Sequence, residues 1–200
     1  RFHGGEQHHD WNTLHRFSPD GKHLGGVLDR ASLTEHIKLR ELRGFSFGPD
    51  GDLYVANAYK NLSQILRFHG QLNAAGKHKF RQVFVERHAA NSGLAHPFDV
   101  EFGPDGNVFV PSQDTSLVGR YYGPHAADGQ PGEVMPFPAA LQPFPDGTFH
   151  PGTFVPSHRH VPTGLKEVRH AIFGPKGHLF VADRTANRVQ RYDGDSGELI

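Results

Sequence analysis

The feature that most restricts this chain is a hairpin written three times. Residues 44–57 read GFSFGPDGDLYVAN, residues 99–112 DVEFGPDGNVFVPS and residues 170–183 HAIFGPKGHLFVAD, and the three align without a gap. In each, a short apolar run meets a Gly-Pro-Asp/Lys-Gly turn and a second apolar run follows. Pro presets φ at the first corner, Asp can accept from its own backbone, and Gly takes the positive φ that closes the bend. Two such runs across such a turn predict an antiparallel hairpin.

A second marker follows each hairpin: Arg67-Phe68, Arg120-Tyr121 and Arg191-Tyr192, with Arg16-Phe17 upstream. The spacing is about 50 residues, the size of a four-stranded propeller blade. The third interval is longer because residues 123–147, rich in Pro and Gly, interrupt it. Each blade can be lettered: strand a ends at the first turn, b follows it, c carries the Arg-aromatic pair, and d comes after a Gly turn, as in residues 79–86. The FSPDG at residues 17–21 reads as a c–d turn, with residues 23–29 as strand d. Residues 31–42 could add one or two helical turns on a connection. The expected class is all-β: a β-propeller of four-stranded antiparallel blades, a single domain over residues 1–200. Its units lie at about 10–30 (partial), 42–87, 97–157 and 168–200.

Composition agrees. The 24 Gly and 15 Pro make turns dense, and 16 Phe supply strand cores. Lys+Arg and Asp+Glu are equal at 21 each, which argues against a nucleic-acid binder, since that class carries a basic excess. No apolar run is long enough to span a bilayer. Without cysteine there is no disulfide, thiolate metal site or Cys nucleophile. No nucleophile elbow, P-loop or dinucleotide fingerprint occurs. The 16 His gain charge as pH falls from about 7 to 5, so solubility and partner binding are expected to change there.

The stretches HPFDVEFGPDGNVFV and FGPKGHLFVADRTANRVQRYDGDSGEL resemble the NHL repeat. Val181-Ala182-Asp183, Asn187-Arg188-Val189 and Tyr192-Asp193 match best. The wider relatives are six- or seven-bladed propellers, including the gluconolactonase group and virginiamycin B lyase. The first and second repeats depart from the pattern, with Asn57 and Ser112 where Asp183 stands. The resemblance implies a fold more firmly than a function. It leans to a secreted or periplasmic compartment, and it implies a divalent cation (Ca, Mg or Zn) at the channel mouth, whose Glu/Asn/Asp set has no residue-by-residue counterpart here.

In such a fold strand a lines the axis, and the b–c and d–a loops form the top face. The residues starting strand a are Gly44, Asp99 and His170. Asp99 and His170 are therefore candidates for a catalytic acid/base pair or for metal ligands, His being the natural proton carrier near neutrality. The alternative is that both bond backbone where the inner strands converge. Asn57, Tyr59, His96, Gln113, Asp114, Asp183 and Arg184 form the surrounding ligand-binding ring. For Asp183, tightening of its own b–c turn competes with that role. The recurring Arg67, Arg120 and Arg191 read as structural. His8 and His9 would point to opposite faces of a strand, whereas His158 and His160 could share a metal. Two functions follow. One is a binding or scaffold propeller with a small molecule or protein at the top face. The other is a metal-assisted lyase or lactone hydrolase.

Two structural expectations complete the reading. The insertion 123–147 should cover the bottom face, away from Asp99 and His170. The strands make about three to three and a half blades, so further blades from a longer chain or another subunit should complete the ring. Otherwise apolar faces near Phe45, Val55 and Val181 would lie open.

Overall fold

The computed structural model describes residues 12–58, 62–138, 141 and 149–200. Its strands follow the repeat. A hairpin of β1 (His15–Phe17) and β2 (His23–Gly26), a two-stranded sheet of its own, stands where strands c and d of a first blade are expected, and β3 (Leu28–Asp29) follows. Blade 2 holds β4 (Leu42–Phe47), β5 (Leu53–Asn57), β6 (Gln64–Leu72) and β7 (His78–Glu86). Blade 3 holds β8 (Glu101–Phe102), β9 (Val108–Ser112), β10 (Leu117–Tyr121) and β11 (Thr153–Val155). Blade 4 holds β12 (Val168–Phe173), β13 (Leu179–Asp183) and β14 (Arg188–Tyr192), with a bridge from Tyr192 to Leu199 where strand d would start. Within blades the pairing is antiparallel between chain neighbours, in the order a, b, c, d from the axis outward.

Two details differ from expectation. Residues 23–29 are not one strand. The chain leaves the hairpin after Gly26, Val27 donates to Leu14 O, and β3 pairs parallel with β7, giving blade 2 a fifth strand. Gly25, at φ +93, permits the bend. Of the helical turns expected over residues 31–42, only part of a single-turn 3-10 segment, Arg30–Ser32, forms, and Leu42 already opens β4.

In blades 2 to 4 one repeated contact binds the a–b turn to the far end of strand c or the residues just past it. A Cβ on Gly70 would lie 1.7 Å from Gly51 O; for Gly123 and Gly106 O, and for Gly194 and Gly177 O, the distance is 1.9 Å. The Gly70 amide donates to Asp52 and the Gly123 amide to Asn107. Only glycine lets the two backbones meet this closely. The a–b and c–d turns therefore share one face and leave the other to the b–c and d–a loops. Arg67 belongs to this structural layer. Its guanidinium is ion-paired with Asp50 and, at 2.8 Å, with Asp52, which Arg81 also reaches. Arg120 instead lies 5.0 Å over the Phe154 ring.

The core lies between blades. Tyr54, Ile65, Phe84, Val100, Val108 and Tyr121 join blades 2 and 3, while Phe109, Val118, Phe154, Ala171, Leu179 and Val181 join blades 3 and 4. The outward face of blade 2 is covered in its outer half by Leu28, Leu33, Ile37 and Leu39. Val55 is buried under that cover and Val181 in the core between blades 3 and 4, both against expectation. Among the described residues the open large apolar positions are Phe45, Phe47, Ile172, Val189, Leu199 and Ile200 on the flanks, Leu72 at the end of β6, and Phe17 and Leu24 on the first hairpin.

The described part of the insertion starts at the turn face, where Gly123 meets Gly106 O, and then runs beside the end of β10. Val134 bridges Tyr121, Met135 donates to Arg120 O, and Gly132 packs on Phe84 O. β11 pairs with β10 only as far as Gly119, and the backbone at Arg120 and Tyr122 beyond it bonds the insertion at Met135 and Glu133. No described residue of the insertion lines the channel mouth.

Candidate functional site

Asp99 and His170 meet across the joint between blades 3 and 4. His170 Nδ1 touches Asp99 Oδ2, although the contact is out of line for a donated hydrogen bond. The regular strand β8 starts only at Glu101, so Asp99 sits just ahead of it; the Gly44 amide donates to Phe98 O on the same stretch. Gly44 makes room for the carboxyl, since a Cβ there would lie 1.9 Å from Asp99 Oδ1. Asp99 is 93% removed from solvent at its side chain, while that of His170 is 60% exposed. A buried carboxylate thus holds an imidazole whose other edge faces solvent.

Burial raises the Asp99 carboxyl above its ordinary value, against the opposing pull of His170 and of the Val100 and Ala171 amides. Glu101, next along the same wall, is also raised, by burial and then by the Asp99 charge; its Oε1 accepts from the Phe173 amide at 3.4 Å.

Arg43, Gly44, Phe45, Phe98, Asp99, Arg169 and His170 line a pocket of about 390 Å³. The Phe98 ring carries the Arg43 guanidinium at 4.9 Å and that of Arg169 at 4.4 Å. Each cation is held by a carboxylate on its own segment, Arg43 by Glu41 at 2.8 Å and Arg169 by Glu167 at 2.5 Å.

Four residues of the expected ring join this network. His96, left-handed at φ 54, faces Asp114 at 3.4 Å, Glu41 at 3.8 Å and Arg43 Nη2 at 3.4 Å. Burial lowers the His96 imidazole from its ordinary value, and Asp114 opposes that shift. Gln113 Oε1 accepts from Arg169, and Arg184 donates to Glu167 at 2.9 Å. Asn57 and Asp183 are buried and spend their polar atoms on loops. Asn57 accepts from the Arg40 amide and donates to Lys38 O; Asp183 accepts from the amides of Lys166, Glu167 and Ala186. The shorter Ser112 leaves its buried Oγ without a hydrogen bond among the described residues. Tyr59, like His8 and His9, lies outside the described residues.

Among the described residues, no three or more His, Asp or Glu side chains gather to hold a metal ion. His158 donates to Leu165 O, while His160 lies against Phe149 and His150.

Sequence reasoning missed Arg43, Phe98 and Arg169, along with Glu41 and Glu167. The signal was present: Arg43, Phe98 and Arg169 each precede one of the aligned residues Gly44, Asp99 and His170. Equivalent residues in adjacent blades become neighbours around an axis, and a linear sequence does not display that.

No family model matches the sequence. No curated protein matches it either. Among solved structures, a catalytically inactive virginiamycin B lyase from Staphylococcus aureus with quinupristin matches with TM-score 0.53 and 16% identity, over 94% of this chain and 47% of that one. A selenomethionine-substituted virginiamycin B lyase from the same organism matches with TM-score 0.50 and the same identity and shares. The fold is a partial β-propeller. The chain spans about half the length of these lyase structures. At this identity the likeness speaks for the fold alone. No helix among the described residues is long and apolar enough to cross a membrane.

Proposed function

We propose that this chain is a propeller binding module that takes a small molecule at the channel mouth, between the b–c and d–a loops. The observation that carries this reading is the Asp99–His170 pair at a pocket of about 390 Å³, with Arg43, Phe98 and Arg169 along its wall. A concave site with a few convergent polar groups on an apolar wall suits small-ligand binding. His96, Gln113, Asp114 and Arg184 act mainly by holding that wall in place. The test is a ligand-observed NMR screen of a fragment library against the wild type and His170→Ala. Hits lost in the variant support the reading; hits of equal strength in both place binding elsewhere.

A second reading is a lyase or lactone hydrolase at the same mouth. A buried carboxylate that orients a solvent-facing imidazole favours it, because a positioned His is the common general base. In its metal-assisted form, Asp99 and His170 would give a divalent cation only two ligands, and no third described His, Asp or Glu joins them. Two ligands do not make a divalent-cation site, so the donor set does not fit a metal. Ring opening of a simple δ-lactone, followed by pH-stat, tests the acid/base form. His170→Ala should lower turnover about 100-fold or more; equal rates would exclude it.

A further inference from the structure

One lock repeats at the joints between blades. At the first joint the ring of Phe102 in blade 3 enters blade 2 beside Gly48, where a Cβ would lie 2.9 Å from Phe102 Cζ. It meets Tyr54 edge-on at 4.9 Å and 72°. At the second, Phe173 of blade 4 enters blade 3 beside Gly103 and meets Phe109 at 4.8 Å and 71°. The knob is the last Phe of strand a. The socket is the Gly that opens the a–b turn together with the aromatic residue of strand b.

The same register leaves two parts unmatched. Gly174 and Phe180 form a third socket on blade 4, and the atoms nearest a Cβ at Gly174 all belong to Phe180, the first at 2.5 Å. Phe47 of blade 2 is a third knob, 56% exposed, with the His78 ring 5.9 Å away. Phe45 beside the knob, and Ile172 and Val189 on the socket blade, are also exposed.

We propose that a second copy of this chain fills both: Phe47 of each copy enters the Gly174–Phe180 socket of the other. The chain carries both halves of a lock that it already closes twice within itself. A two-fold axis that brings one knob to its socket brings the second knob to the second socket. Contact is confined to the inner strands, because Leu28, Leu33, Ile37 and Leu39 already cover the outer half of blade 2. The second copy also completes the channel mouth. Gly44 leans on Asp99 and Asp99 on His170, each facing its counterpart in the next blade. His170 then faces Gly44 of the second copy, and the absent side chain keeps the imidazole within reach of the channel.

Sedimentation velocity over micromolar concentrations tests the assembly. The expected result is a dimer that becomes a monomer in Phe47→Asp and in Phe180→Ala, with unchanged far-UV circular dichroism. Should either variant unfold, the natural absence of cysteine allows a direct check. Phe47→Cys copies are mixed with Gly174→Cys copies and treated with a short bismaleimide. A covalent dimer from the mixture, absent from either variant alone, supports the proposal. A monomeric wild type, a dimer unchanged in both folded variants, species longer than a dimer, or no cross-link would overturn it.

Discussion

His170 Nδ1 rests on Asp99 Oδ2 across the joint of two blades, and the carboxyl it touches is held above its ordinary value by burial. A raised carboxyl keeps its proton to higher pH in the folded chain than in the unfolded one. Asp99 therefore contributes stability that is present in full below its ordinary value of 3.8 and is lost as pH rises through the raised value. Asp99→Asn should remove that fall. Urea midpoints measured upward from pH 3.8 should decline less steeply in the variant than in the wild type, and parallel curves would contradict the assignment.

Gly44→Ala should disturb the same pair without touching either residue. The new Cβ would lie 1.9 Å from Asp99 Oδ1 and 2.8 Å from Asp99 Cα, so the carboxyl must move off His170. The expected cost is roughly 1–3 kcal/mol of overpacking. Fragment binding at the channel mouth should weaken with it, as read by thermal melting and ligand-observed NMR.

His96 has the opposite sign. Burial lowers its imidazole below the ordinary 6.5, so the unfolded chain binds the proton more readily. Its contribution to stability is present above pH 6.5 and is lost as pH falls through the lowered value. His96→Gln should flatten the melting temperature over that window, measured by circular dichroism.

The glycine contact inside blades 2 to 4 predicts an intolerant position. Gly70→Ala places a methyl 1.7 Å from Gly51 O, and Gly123→Ala does the same at 1.9 Å from Gly106 O. Each should lower stability by about 1–3 kcal/mol through displaced backbone. Alanine at Gly21 has no atom within 4 Å to meet and serves as a control for added bulk, with only its φ of +85 opposing it. Urea denaturation compares the three.

Phe109 is the busiest aromatic of its joint. It meets Phe154 at 5.0 Å and Phe173 at 4.8 Å, both near edge-on, and is 1% exposed. Phe109→Ala should cost about 3–5 kcal/mol, the usual range for a buried aromatic truncation. Because Phe173 belongs to blade 4, loss of native-state hydrogen-exchange protection should spread to β12 and β13.

The blade order was legible because every device that makes a hairpin is local. The FGPDG and FGPKG turns, the alternating runs and the Arg-aromatic markers lie within a few residues of one another, and backbone sterics there depend little on the rest of the chain. Those cues predict β4 to β14 and the a-to-d lettering. They also predict Asp99 and His170 as equivalent inner residues, because equivalence follows from alignment alone. What local chemistry could not reveal was which side of each strand is covered. The sequence contains Val55 and Phe45 on one hairpin, yet only tertiary packing buries the first under Leu28–Leu39 and leaves the second open. The split of residues 23–29 between the first hairpin and blade 2, and the insertion's run beside the end of β10, depend on distant strand edges. The stacking of Arg43 and Arg169 on Phe98, and the touch between His170 and Asp99, exist only because blades are set side by side. Contact between residues so far apart in sequence is decided by the angle at which one blade meets the next, which no short-range pattern encodes.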